Sequence, residues 1–163
     1  NKADGLLFLS LLSGRNPDYL IGKHVEAIPF LSHTNLEILP TGYILIENGK
    51  KTSVEKISNT SPISRSDINL ICDTAKAGEL LGLKLIYLEA GSGATHAIEK
   101  EIISRVKATI NIPLIVGGGI RTRLDFDNAI DAGANLIVIG TAFEQDETFY
   151  EKLLRPEFKV ATN

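Results

Sequence analysis

PLIVGGGIRT, Pro113–Thr122, and NLIVIGT, Asn135–Thr141, are two short apolar runs that each break off into glycine. Three earlier runs have the same character: GLLFLSLL (5–12), GYILIE (42–47) and LKLIYLEA (83–90). Each is nearly continuous in Leu, Ile, Val, Phe or Tyr rather than alternating. That pattern marks parallel strands covered on both faces. Helical patterns fill the gaps between them. Asn16-Pro17 opens one as cap and first residue. SRSDINLICDTAKAGELLG carries Ile68, Ile71, Cys72, Ala75 and Leu80 as an approximate apolar face and closes at Gly82. THAIEKEIISRVKATI repeats Ile98, Ile102, Val106 and Ile110, RLDFDNAIDAGA closes at Gly133, and DETFYEKLLR forms a last helix. The longest polar stretch, residues 47–66, reads as a turn at Asn48-Gly49 followed by a mobile loop.

The order is five βα units, an α/β protein with right-handed crossovers. An open doubly wound sheet is complete with five strands, whereas an eight-unit barrel takes ~250 residues. Length favours the open sheet; the glycines favour the barrel. A dinucleotide fold places G-x-G-x-x-G after its first strand, and the first strand here ends in SLLSGRN. In a barrel the loops after the last two strands bind phosphate, and VGGGIRT (116–122) and IGT (139–141) sit at those two ends. Backbone amides exposed by glycine hold a phosphate closely. The plainer alternative is that these glycines serve tight strand-to-helix turns.

The chain of 163 residues is long enough for one domain with a real core, and its 44% hydrophobic and 23% charged residues are ordinary for a globular protein. A net charge of −3 argues against a broad nucleic-acid surface. The single cysteine, Cys72, excludes a disulfide framework and points to a reducing cytoplasm. No apolar run reaches the ~18 residues of a membrane span. The sequence contains no methionine and opens NKADG, so we expect further N-terminal residues in the physical protein.

YLEAGSGA, Tyr87–Ala94, ends the middle strand on a carboxylate. Tyr87 and Glu89 are two apart and share one side of the strand. A buried glutamate needs a partner. A polyol offers two hydroxyls for it, and the carboxylate can take a proton from one of them. A structural glutamate satisfied by backbone or lysine is the alternative. His24, His33 and His96 have no metal-ligand spacing, and Cys72 reads as a small core residue. Tyr43, after a turn expected at Pro40-Thr41-Gly42, suits either an apolar groove or the core. KHVEAIPFL reads as a core-facing helix, with a groove wall as the weaker choice.

Together YLEAGSGA, PLIVGGGIRT, LFLSLLSGRNPDYLIGKHV and LPTGYILIENG make the chain resemble the geranylgeranylglyceryl and heptaprenylglyceryl phosphate synthases along essentially its whole length. The resemblance implies a modified TIM-type (β/α)8 barrel, with residues 1–163 forming a single domain that holds strands four to eight. It implies transfer of a prenyl group, geranylgeranyl by expectation, from its diphosphate to the C3 hydroxyl of sn-glycerol 1-phosphate. Glu89 and Tyr87 would be catalytic. Tyr87, Leu88, Glu89, Ala90, Gly91, Ser92, Gly93, Gly118, Gly119, Gly140 and Thr141 would hold glycerol phosphate, with Thr141 where the family often has Asn. Magnesium would bind the diphosphate through an Asp on the first strand and a Ser or Thr on the second, neither of which this chain contains. Homo-oligomers and a peripheral contact with membrane for the lipid product are further expectations. Rival readings are a phosphate-binding fragment without catalysis and another phosphate-binding barrel enzyme, an isomerase or aldolase. The latter would need a lysine or second acid/base at a strand end, and Lys84 lies at the opposite end of its strand.

Overall fold

The computed structural model describes residues 2–154. Among these described residues five strands form one parallel sheet: β1 (Gly5–Leu11), β2 (Glu37–Leu45), β3 (Leu85–Glu89), β4 (Leu114–Gly117) and β5 (Leu136–Val138). They lie side by side in chain order, β1-β2-β3-β4-β5. A doubly wound sheet reverses its strand order at a switch point. Here the order never reverses, so every crossover proceeds in one direction, as in a β/α barrel. The chain is therefore five consecutive units of a barrel-type fold.

Among the described residues seven helices accompany the sheet: α1 (Lys23–Leu31), α2 (Ser53–Ser58), α3 (Ile68–Leu80), α4 (Lys100–Thr109), α5 (Arg123–Asp131), α6 (Thr141–Gln145) and α7 (Phe149–Leu154). The expected tail helix is α7; Arg155 lies outside the described residues. The strands divide their side chains by the two-residue period. Ile44, Ile46, Ile86, Leu88, Leu114 and Val116 pack against Ile71, Ala75, Ile102 and Val106 of the helix layer. The opposite face carries rows set by register: Tyr43, Tyr87, Ile115 and Leu136, then Leu45, Glu89, Gly117 and Val138 nearer the C-terminal ends. The second row positions the site.

Several expectations change. Residues 37–42 belong to β2, so Pro40-Thr41-Gly42 is strand, not turn. Pro40 is tolerated because its carbonyl side faces β3, accepting from the Lys84 amide at 2.8 Å, and β3 pairing begins only at Thr41. A missing N–H there leaves no ladder bond unmade. Within α3 the inward stripe is Ile71, Cys72, Ala75 and Gly78, whereas Leu80 is 77% exposed. Gly78 takes the inward position because a β-carbon there would meet Leu12 at 2.7 Å. The polar stretch 47–66 is not all loop. It holds α2, whose Thr52 and Glu55 form a reciprocal capping box. KHVEAIPFL forms α1 but buries none of its residues, so it is not a core-facing helix. Pro17, not Asn16, is the cap of the π-type turn Asp18–Gly22 that precedes α1; the Asn16 side-chain oxygen accepts from the Asp18 amide at 3.0 Å just ahead of it.

Candidate active site

β3 delivers Tyr87 and Glu89 to the inner face of the sheet, and both are 7% exposed. The neighbouring strand makes room for them. A β-carbon at Gly117 would stand 2.6 Å from the Tyr87 hydroxyl and 2.7 Å from Glu89 Oε2. One at Gly118 would overlap Glu89 Oε1. The triple glycine thus has a use the sequence did not suggest: it leaves space for the carboxylate of the next strand. The Tyr87 ring meets Tyr43 edge to face, with centroids 5.2 Å apart.

Beyond Glu89 the chain turns sharply. Gly91 has φ +98, and its amide donates to Glu89 Oε1 at 2.7 Å. Positive φ with a β-carbon would be strained, and a side chain at Gly91 would also strike the Thr52 methyl. Burial pushes the Glu89 carboxyl above the ordinary glutamate range; the Tyr87 hydroxyl and the Gly91 amide pull it partly back. Burial, then the nearby Glu89 charge, pushes the Tyr87 hydroxyl above its usual range, and the same two causes act on Tyr43. Both tyrosines are therefore neutral hydrogen-bonding groups at physiological pH.

A cavity of about 230 Å³ opens over these groups at the C-terminal ends of the strands. Glu89, Gly91, Ser92, Gly93, Gly118, Gly140 and Thr141 line it, so seven of the residues singled out in the sequence meet there. Tyr87 lies beneath, behind Glu89. Leu88 and Ala90 are wholly buried, and their side chains face the helix layer. Only their backbone can serve the site, because the strand period turns alternate residues away. Gly119 lies farther out, lining a neighbouring cavity of about 560 Å³ with His96 and Arg121. The Arg121 guanidinium donates to the Ala94 carbonyl at 3.1 Å, bracing the β3–α4 loop. His24 stands edge-on to Phe8, ring centroids 4.4 Å apart.

Sequence reasoning missed the opposite wall. Thr52, Ser53 and Val54 of the α2 start, Tyr43 and Val138 complete the small cavity. The T-x-x-E spacing of Thr52 and Glu55 was the available signal for a helix start there. Tyr43, Ser53 and Val54 also border an apolar cleft of about 300 Å³, together with Leu9, Leu11, Tyr19 and Ile57. A polar pocket and an apolar cleft therefore share one wall. Among the described residues no group of three or more His, Cys, Asp or Glu side chains could hold a metal ion. The described residues do not by themselves supply the donor set that the resemblance implies for magnesium. No helix among the described residues is long and apolar enough to cross a membrane.

A one-way parallel sheet with a buried carboxylate, glycine-rich strand ends and an adjoining apolar cleft defines a β/α barrel-type protein whose candidate site lies at the C-terminal rim, where barrel active sites lie. Comparison with known proteins narrows it. The PcrB family matches residues 1–157, and the chain belongs to that family. It is 56% identical over 150 residues to the geranylgeranylglyceryl phosphate synthase of Flavobacterium johnsoniae, covering 92% of this chain and 62% of that protein. Identity to the synthase of Zunongwangia profunda is 54% over 146 residues, covering 90% and 62%. The crystal structure of (S)-3-O-geranylgeranylglyceryl phosphate synthase from Thermoplasma acidophilum in complex with sn-glycerol-1-phosphate superposes with a TM-score of 0.85 at 35% identity, covering 93% of this chain and 60% of that one. The chain spans about three fifths of the length of these relatives.

Proposed function

We propose that this chain carries the glycerol-phosphate side of a prenyltransferase site, and that the protein joins a prenyl group to the C3 hydroxyl of sn-glycerol 1-phosphate. The observation that carries the reading is the Glu89 carboxylate, buried, held by Gly91, and facing a cavity edged by glycines from three strand ends. In this reading the phosphate sits against the backbone at Ser92–Gly93, Gly118 and Gly140–Thr141, where the first-turn amides of α6 lack helical partners; the Gly91 amide is already taken by Glu89. Tyr87 stands beneath Glu89, while Gly119 lies farther out and the Ala90 amide and carbonyl are already bonded to Gly117 and Asn48.

The glycerol hydroxyl lies against Glu89. Its oxygen forms the new ether bond to the prenyl carbon while the carbon–oxygen bond to diphosphate breaks. Pyrophosphate leaves with the electron pair, and the hydroxyl proton passes to Glu89. A carboxylate with a raised pKa is the better acceptor at neutral pH. Tyr87 holds the carboxylate in place through its neutral hydroxyl. The prenyl chain occupies the cleft of Leu9, Leu11, Tyr43, Val54 and Ile57, which meets the polar pocket at the shared wall. The resemblance further suggests geranylgeranyl diphosphate as donor, magnesium on the diphosphate, homo-oligomers, a cytoplasmic setting and peripheral contact with membrane.

The test is incubation of the full-length protein with sn-glycerol 1-phosphate, magnesium and prenyl diphosphates of several lengths, with products identified by mass. An ether-linked prenylglyceryl phosphate is expected. No product from any donor would overturn the reading.

A further inference from the structure

The Ala90–Gly91 peptide group is held at both ends. Its N–H, on Gly91, donates to Glu89 Oε1 at 2.7 Å. Its C=O, on Ala90, accepts from the side-chain amide of Asn48. Asn48 is 6% exposed and stands 42 residues away in sequence, in the loop after β2. Its own orientation is fixed, because its Oδ1 accepts from the Lys50 amide at 3.2 Å. With that oxygen engaged, the NH2 must face Ala90.

The N–H and C=O of a trans peptide point in opposite directions. A donor that fixes the carbonyl therefore aims the amide. This matters because Gly91 sits at φ +98. A peptide followed by glycine turns over readily, since glycine accepts either sign of φ. Turned over, it would offer Glu89 a carbonyl oxygen in place of an N–H. The Ala90 carbonyl is also buried, so without Asn48 it would be an unpaired acceptor.

We infer that Asn48 is a positioning residue: through the Ala90–Gly91 peptide it keeps an N–H on Glu89 and so fixes the orientation and charge state of that carboxylate. The inference rests on the catalytic role proposed for Glu89. The titratable groups that face Glu89 are Tyr87 on its own strand and Tyr43 on β2. β4 presents Gly117 and Gly118, and the end of β5 presents Val138, Gly140 and Thr141, with no charged side chain among these described residues. Loss of the Gly91 donor removes one of the two influences that lower the Glu89 pKa.

The experiment compares wild type, Asn48→Ala, Asn48→Ser, Glu89→Gln and the Asn48→Ala/Glu89→Gln pair in the full-length protein. Two readouts are taken: the pH profile of kcat/KM with glycerol 1-phosphate and a prenyl diphosphate, and the Glu89 carboxyl titration followed by NMR. Asn48→Ala is expected to lower kcat/KM about tenfold near neutrality, to move the acid limb to higher pH, and to raise the Glu89 titration midpoint. The pair should lose no more than Glu89→Gln alone, because Asn48 acts through Glu89. An Asn48→Ala or Asn48→Ser variant that folds with the Glu89 midpoint unmoved would overturn the inference, as would losses that multiply in the pair. Unfolding of both single Asn48 variants would also overturn it, assigning Asn48 to folding instead. If wild type makes no product, the proposed function fails while the Glu89 titration still decides the role of Asn48.

Discussion

Gly118 and Glu89 fill one another's space: the carboxylate oxygen Oε1 stands where a β-carbon at Gly118 would go. The glycine run and the glutamate are therefore one feature built from two adjacent strands. At φ +81, Gly118 also needs its missing side chain for conformational reasons. Gly118→Ala should destabilise the protein by about 1–3 kcal/mol, measured by denaturant unfolding. Combining it with Glu89→Ala should return part of that loss. Strict additivity in the cycle would show that the two do not share space.

Glu89→Gln preserves shape and can still accept from Gly91, but it cannot take a proton. Turnover is expected to fall by about 10²–10⁴ with little change in glycerol phosphate binding. A rate near wild type would remove Glu89 from the chemistry.

The same substitution should reveal a pH-dependent stability difference. The Glu89 pKa is raised in the folded protein by burial. The folded state thus binds the proton more tightly than the unfolded chain. That stabilisation is complete below the ordinary glutamate range and is lost as pH rises through the folded pKa. Thermal unfolding of wild type and Glu89→Gln from about pH 4 to about pH 7 should therefore shift progressively in favour of the variant. A constant difference across that range would contradict the raised pKa.

Leu9 borders the apolar cleft and is 41% exposed. Leu9→Glu would place a carboxylate against the proposed prenyl chain. We expect KM for the prenyl diphosphate to rise about tenfold or more, with KM for glycerol 1-phosphate unchanged. An equal rise in both would detach the cleft from the prenyl substrate.

Thr52 caps α2, and its methyl group occupies the space a β-carbon at Gly91 would take. Thr52→Ala should cost about 1 kcal/mol of stability, read by chemical denaturation, and Thr52→Ser should retain most of it. Equal loss in both would place the energy in the methyl contact rather than the cap.

Sequence alone went far because barrel chemistry is local to strand ends. Continuous apolar runs gave five strands, and the two-residue period placed Tyr87 and Glu89 on one side without any knowledge of neighbours. Glycines at Gly118, Gly119 and Gly140 marked the ends that face the same rim. Strand order was not legible, since nothing within a run states which run lies beside it; the unbroken order β1 to β5 separates a barrel from a doubly wound sheet. Pro40 hid the start of β2, because a proline is harmless only where the strand its missing N–H would face has not yet begun. Asn48, Thr52 and Val54 were out of reach for a similar reason. They stand 35–45 residues before the loop they support, and only parallel pairing of β2 with β3 brings the two strand ends together. Local covalent periodicity thus determined which residues could face a substrate. Tertiary packing decided which backbone groups hold the Glu89 carboxylate, because those contacts run across strands rather than along the chain.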